Sequence, residues 1–328
     1  MKLSVTTHER KLVAPFVIAR GTRHSQKFIR VTIEDDGRVG MGEASGRAYR
    51  GDTPETMAEE IERVRTALEG GVSREGLLTL MPPGGARAAV DAALWDLQSS
   101  ADNPAWTIAA LDAAPSPVAT AMTITMGSPD DMRDQAEVHA ARPLLKVKLG
   151  GGDGRDVERV KAVRAGAPTA TLIADGNGGC VLAELGALTA TMADLGYALL
   201  EQPLAPGDDD ALLGTDFPIP LCADESLDTR ADVATIARLY QYGNIKLDKA
   251  GGLTEGLALS SALKEHGLGL FVGCMVGTAR SIAPAFLLTP DARFVDLDGP
   301  LWLADDDHPM HVDETGVLSP PLCWGGMA

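Results

Sequence analysis

Leu144-Leu145-Lys146-Val147-Lys148-Leu149 is the stretch on which the fold turns. It is short and strand-like, apolar apart from two lysines, and alternation puts both ammonium groups on the same side of the strand. If that side is the interior, the arrangement is costly unless negative charge stands nearby. An isolated Lys-x-Lys is otherwise a snorkelling surface pair. The surroundings decide. Similar runs recur at Val118 to Met126, Thr171 to Ala174, Ala198 to Glu201, Ile219 to Ala223, Asn244 to Asp248, Leu268 to Cys274 and Phe294 to Asp298. With Leu144 to Leu149 they make eight, about 22 to 27 residues apart with room for a helix between most neighbours, which matches an eight-stranded βα barrel. An open doubly wound sheet is the alternative, but no strand leads into GxGxxG or GxxxxGK, so the usual nucleotide signatures are missing.

Upstream of this region two strand-like runs, Lys11 to Ile18 and Lys27 to Ile33, precede three helix-like segments, an order that suggests α+β. Thr53 and Pro54 read as cap and first turn of a helix through Met57 to Leu68, and a second helix covers Gly85 to Leu97. The Pro- and Gly-rich closing segment, residues 299–328, is expected to pack back on this first domain. The resulting division is 1–115 completed by 299–328, with the barrel at 116–298.

The 328 residues are 45% apolar and 23% charged, enough for one large domain or two ordinary ones. Forty-six acids against twenty-nine bases give a net charge of -17, which disfavours nucleic acid and anionic membranes as partners. No apolar run of transmembrane length occurs, and Met1 to Arg10 lacks the pattern of a secretory signal, so the chain reads as cytoplasmic. Its four cysteines, Cys180, Cys222, Cys274 and Cys323, and its six histidines are scattered without zinc spacing. Any metal must be held by oxygen.

Barrel enzymes carry their chemistry at the C-terminal ends of the strands. The third run leads into Asp175-Gly176-Asn177, the fourth into Glu201-Gln202-Pro203 and the fifth into Asp224-Glu225-Ser226. One such acid alone is a helix cap or a solvated loop residue. Three from adjacent strands converge on a small volume where repulsion demands a cation, and oxygen ligation favours Mg²⁺. Alternation does not choose between Asp224 and Glu225. The sixth run gives Ile245-Lys246-Leu247-Asp248-Lys249, with Lys246 and Asp248 on one face. Strands two and six lie opposite each other in a ring of eight, so Lys148 and Lys246 face each other across the mouth with the acids between them. A metal-held carboxylate substrate would then offer opposite faces of its α-carbon to two lysines, the geometry of a 1,1-proton transfer. A lysine base near pH 7 must titrate about three units below its ordinary ~10.4, roughly 4 kcal/mol of destabilised ammonium. Lys146 beside Lys148, together with a divalent ion, is expected to supply that repulsion and to stabilise an enolate. Asp296 and Asp298, on strand eight and across the ring from strand four, suit the cationic end of a substrate, although Asp-Gly-Pro is also a good turn.

The order KxK, Asp, Glu, Asp, Lys on strands two to six resembles the muconate-lactonizing branch of the enolase superfamily. More narrowly, Pro15 to Gly21, Ala93-Leu94-Trp95-Asp96-Leu97, Leu145 to Lys148, Ile245 to Thr254 and Asp296 to Pro300 are similar to bacterial dipeptide epimerases acting on L-Ala-D/L-Glu. The resemblance implies an α/β fold, a modified (β/α)7β TIM-type barrel with an N-terminal α+β capping domain. It implies Mg²⁺ on Asp175, Glu201 and Asp224, Lys148 and Lys246 as the acid/base pair with Lys146 assisting, and Asp296 and Asp298 on the α-ammonium of a dipeptide from peptidoglycan. A basic residue of the capping loop, Arg20 or Arg23, would meet the glutamate side chain. Gly176 stands where Ala is usual, and Gly178-Gly179-Cys180 replaces a bulkier loop. Cycloisomerases and o-succinylbenzoate synthases share the lysines and metal ligands but do not need the strand-eight acids. A non-catalytic dipeptide binder would not need two opposed lysines. The dipeptide preference, the choice between the arginines, and a homo-oligomeric state stay open at this level.

Overall fold

A computed structural model describes residues 1–326, so the last two residues of the closing segment 299–328 lie outside the described residues. The chain begins as an antiparallel sheet in which β1 (Lys2–Ile18) pairs with β2 (Gly21–Asp35), and β2 with β3 (Arg38–Ala44). These strands are longer than the sequence suggested, and β3 was not anticipated. The start of β1 is mostly polar and exposed, so backbone pairing rather than apolar alternation marks it. In β3 the glycines hide the strand pattern. Helix α1 (Pro54–Glu69) is capped by Thr53, whose hydroxyl accepts from Thr56 N, and it buries Met57, Ile61 and Leu68 on one stripe. After α2 (Arg74–Leu80), helix α3 (Gly85–Gln98) lies directly on the glycines of β3. A Cβ at Gly40 would fall 2.2 Å from Ala93 O, and one at Gly42 2.1 Å from Ala89 O, so neither position admits a side chain.

The second sheet is parallel and eight-stranded: β5 (Met122–Ile124), β6 (Leu144–Lys148), β7 (Thr171–Asp175), β8 (Tyr197–Glu201), β9 (Leu221–Ala223), β10 (Tyr242–Ile245), β11 (Gly269–Gly273) and β12 (Ala292–Asp296), in sequence order. The ring closes through Ala121 N to Val295 O at 2.8 Å and Leu297 N to Thr120 Oγ1 at 2.9 Å. The architecture is therefore an α/β barrel of the TIM type under an N-terminal α+β cap. The single strand expected over Val118 to Met126 is divided. Val118–Ala119, β4, pairs antiparallel with β13 (Val317–Leu318), because Thr120 and Ala121 turn their bonds to the closing seam. The sixth strand stops at Ile245, and Leu247–Ala250 forms a helical turn.

Alternation along the strands sorts the barrel interior into layers. Leu144, Ile173, Leu199, Cys222 and Phe294 form an apolar cluster inside the ring. Two residues further along each strand come Lys146, Asp175, Glu201, Asp224 and Asp296 on the same face, all buried. The described part of the closing segment returns to the first sheet and to α3: Asp307 pairs with Arg10 at 2.8 Å and Arg30 at 2.6 Å, and Trp324 Nε1 donates to Ala92 O at 2.9 Å. No helix among the described residues is long and apolar enough to cross a membrane.

Candidate active site

The acids at the ends of β7 and β8, and the one just past β9, meet. Ligand-type oxygens of Asp175, Glu201 and Asp224 lie within 4.8 Å of one another, and all three residues are buried. Glu201 Oε2 and Asp224 Oδ1 each lie 2.6 Å from an ammonium, yet neither accepts a well-aligned hydrogen bond. Buried oxygens of this kind, converging from three strands with no sulfur or imidazole among them, fit a hard divalent cation. Glu225 points elsewhere. Its Oε1 accepts from Arg20 Nη2 and from Asn177 Nδ2 at 3.3 Å.

The lysines thread between these acids. Lys148 Nζ lies 2.7 Å from Asp175 Oδ2, and Lys246 Nζ 2.6 Å from Asp224 Oδ2. Lys146 is fully buried, with its Nζ 2.6 Å from Glu201, 2.9 Å from Asp296 and 3.1 Å from Asp175. The lowering expected of the lysines relies on a divalent ion in the mouth; the carboxylates by themselves act on Lys146 and Lys246 in the opposite direction. Burial pushes Lys146 down, but Asp296, Glu201 and Asp175 outweigh it and hold it well above the ordinary lysine range. Lys246 is likewise raised, with Asp224 overcoming burial. Among the acids, burial opposes ionisation of Asp175, yet Lys148 and Lys146 hold it low; Lys246 and Lys249 do the same for Asp224. Glu201 is held above the carboxylate range by burial and by Asp175. Lys146 is thus an internal counter-ion to the acids rather than a repulsive neighbour of Lys148 alone.

The strand-eight acids also differ from expectation. Asp296 does not sit apart from the carboxylate cluster, because Lys146 bridges the two. Asp298 has left the strand and accepts from Thr123 N at 3.0 Å and Trp302 Nε1 at 3.1 Å. Burial and Asp296 push it up to about 6. Asp296 Oδ1 is buried without a partner. Both acids line one pocket with Lys146, Lys148, Asp224, Lys246, Arg20 and Arg23. The arginines arrive on the β1–β2 hairpin, which reaches the barrel where Met126 N donates to Val17 O at 3.1 Å. Arg20 is engaged with Glu225 and with Asn177 O at 3.2 Å, whereas the side-chain contact of Arg23 is Gln26 Oε1 at 3.3 Å.

Several residues of the centre are not among those the sequence singles out. Lys249, on the turn after β10, stands 2.6 Å from Asp224 Oδ1 and donates to Asp224 O and Leu227 O. Asn244 Nδ2 donates to Glu201 Oε1 at 2.7 Å, which alternation from Lys246 could have suggested. Asp248 does not share the face of Lys246. The helical turn swings it to the cap, where it accepts from Ser45 N at 2.8 Å and Gly46 N at 2.7 Å.

Chemically, the mouth offers a hard-cation cradle, two lysines held at its two ends, and an acidic and a basic flank. The model of the mandelate racemase/muconate lactonizing enzyme N-terminal domain matches residues 1–107, and that of the enolase C-terminal domain-like family residues 131–325. L-Ala-D/L-Glu epimerase of Escherichia coli (strain K12) is 42% identical over 316 residues, 94% of this chain and 96% of that one. An enolase family member from Agrobacterium tumefaciens with homology to dipeptide epimerases, solved with sodium and L-Ala-L-Glu, superposes at a TM-score of 0.94 with 38% identity, covering 98% of this chain and 99% of that one. A dipeptide epimerase from Methylococcus capsulatus complexed with Mg and L-Arg-D-Lys gives 0.87 with 28% identity over 100% and 98%.

Proposed function

The chain belongs to the enolase superfamily, and on that premise we propose that it is an isomerase, a dipeptide epimerase that inverts the α-carbon of the C-terminal residue. Its substrate on this reading is L-Ala-D/L-Glu from murein peptide breakdown in the cytoplasm. One observation carries the reading: Lys148 and Lys246 engage the two ends of a single carboxylate cluster, one on Asp175 and the other on Asp224. The acidic and basic flanks of the pocket, and the likeness to the E. coli epimerase, support the dipeptide.

Asp175, Glu201 and Asp224 would hold the cation, Mg²⁺ by the character of the donors, and when bound it supplies Lewis-acid stabilisation of charge on the substrate carboxylate. The chain's own residues do the rest. Lys148 is the last residue of the second barrel strand and Lys246 directly follows the sixth, so each addresses one face of an α-carbon seated between them. One Nζ takes the α-proton as the C–H bond breaks, and the other delivers a proton to the opposite face. Lys146 keeps positive charge beside the carbanion as it forms. Asp296 and Asp298 receive the α-ammonium, and Arg23, which forms no ion pair among the described residues, is the better placed of the two arginines for the glutamate side chain. In this scheme 1–115 with 299–328 is the capping domain and 116–298 the catalytic barrel.

A panel of free and N-acetylated dipeptides, followed by NMR in D₂O, tests the proposal. L-Ala-L-Glu is expected to gain deuterium at the glutamate α-carbon and to yield its epimer, with EDTA stopping and Mg²⁺ restoring the reaction. N-acetyl forms, lacking the ammonium, are expected to be poor substrates. If no free dipeptide exchanges with Mg²⁺ present, the epimerase reading fails.

A further inference from the structure

Between Glu201 and the turn that follows stands Gln202, fully buried and held at φ +33°. A residue with a Cβ keeps such a conformation only where its surroundings over-determine it. Here both backbone and side chain are engaged. Gln202 N donates to Cys222 O at 2.8 Å, and Gln202 O accepts from Gly178 N at 2.8 Å. The side-chain Oε1 accepts from Asp224 N at 2.8 Å and Ser226 N at 3.1 Å. Nε2 lies 2.8 Å from Leu204 O, 2.9 Å from Ser226 Oγ and 3.2 Å from both Asp209 Oδ1 and Tyr240 OH. The hydroxyls of Ser226 and Tyr240 in turn donate to Asp209, so the amide has one orientation that satisfies its neighbours. Gly176, directly after Asp175, completes the fit, since a Cβ there would come within 3.0 Å of Gln202 O.

One residue therefore ties together the strand ends that carry Asp175, Glu201 and Asp224, and its amide reaches the N–H of Asp224 itself. We propose that Gln202 is a positioning residue for the carboxylate centre: it sets the spacing of the three acids and so their affinity for a divalent cation, without touching substrate. The inference rests on the cation reading given above. Mg²⁺ demands near-ideal ligand spacing, so a small relaxation of one strand end costs affinity before it costs the fold. Outer-shell partners of metal sites commonly govern affinity by about 10- to 100-fold.

The test is a Mn²⁺ titration of the full chain by electron paramagnetic resonance, with epimerase rate followed against Mg²⁺ concentration. Gln202→Gly relieves the backbone and deletes the amide. It is expected to bind Mn²⁺ at least about tenfold more weakly, with activity lost at low Mg²⁺ and regained as Mg²⁺ is raised. Gln202→Asn, which tolerates the same φ but is too short to span to Asp224 N, is expected to behave likewise and serves if the glycine variant lacks native circular dichroism. Wild-type Mn²⁺ affinity in either folded variant overturns the proposal. Absence of Mn²⁺ binding by the wild-type chain would instead overturn the cation reading beneath it.

Discussion

The barrel mouth and the seam between cap and barrel both bury charge, but they treat it differently. At the seam, the polar groups around α3 and the end of β3 are matched: Asp248 receives Ser45 N and Gly46 N, Asp91 receives Thr254 N at 3.1 Å and its hydroxyl at 2.5 Å, and Arg87 reaches Ala250 O at 2.6 Å and Gly251 O at 3.1 Å. At the mouth, oxygens of Glu201, Asp224, Glu225 and Asp296 are buried without an aligned donor. Burying an unmatched polar atom costs free energy, so the seam uses hydrogen-bonded polar groups for cohesion and the mouth holds charge in reserve for a ligand. Changes at the mouth should therefore remove chemistry and leave stability nearly intact, with the reverse at the seam.

The largest expected effect tests the first half of that contrast. Lys148→Ala and Lys246→Ala should each lower epimerisation by about 10²- to 10⁴-fold. One of the two should still exchange the α-proton of a single epimer in D₂O, because the remaining lysine serves its own face. Near wild-type interconversion by either variant would remove the two-base mechanism. Next come the acids: Asp224→Asn should weaken Mg²⁺ binding by calorimetry far more than Glu225→Gln, whose carboxylate is turned to Arg20 and Asn177. The opposite ranking would relocate the metal ligand.

A smaller effect belongs to the basic flank. Arg23→Ala should cost L-Ala-L-Glu about ten- to hundredfold in kcat/KM, from roughly 1.5 to 3 kcal/mol of lost charge-assisted bonding, and L-Ala-L-Met much less. Equal losses on both substrates would show that Arg23 does not read the side chain. The smallest effect sharpens the seam. Burial pushes Asp91 up to about 6, above the ~3.9 of an unfolded chain. Protonated Asp91 is thus favoured in the fold, so its contribution is fully present below about pH 4 and is lost as pH rises through about 6. Asp91→Asn mimics the protonated form and should flatten the fall in Tm between pH 4 and pH 7 while leaving activity in place. An unchanged pH slope would remove Asp91 from the account.

What could be read from sequence was whatever strand period and strand order determine. Lys148, Asp175, Glu201 and Lys246 are strand-end or next-to-strand residues, so counting strands located them. Asp248 and Asp298 were assigned to strand faces because alternation was carried past the point where helical turns begin, at Leu247 and Gly299. Lys249 and Gln202 were silent because their roles lie in contacts across strands, to Asp224 and its neighbours, which no local period encodes. The acids that raise Lys146 are hidden for a related reason. The sequence shows Lys146 beside Lys148, but only the closed ring brings Asp296 round to meet it.

Helix α3 has a consequence for how such proteins can be recombined. One side of it rests on Gly40 and Gly42 with no room for a methyl group. Its other sides are fastened to the barrel through Arg87 and Asp91 and to the closing segment through Trp324 and through Gly325 N, which donates to Asp96 at 2.7 Å. A chimera that joined this cap to a relative's barrel would break contacts on several sides of a helix that is nearly all interior. The grafting unit is therefore not the cap but the hairpin tip around Arg20 and Arg23, which can be exchanged while α3, and with it the turn behind Lys246, stays where it is.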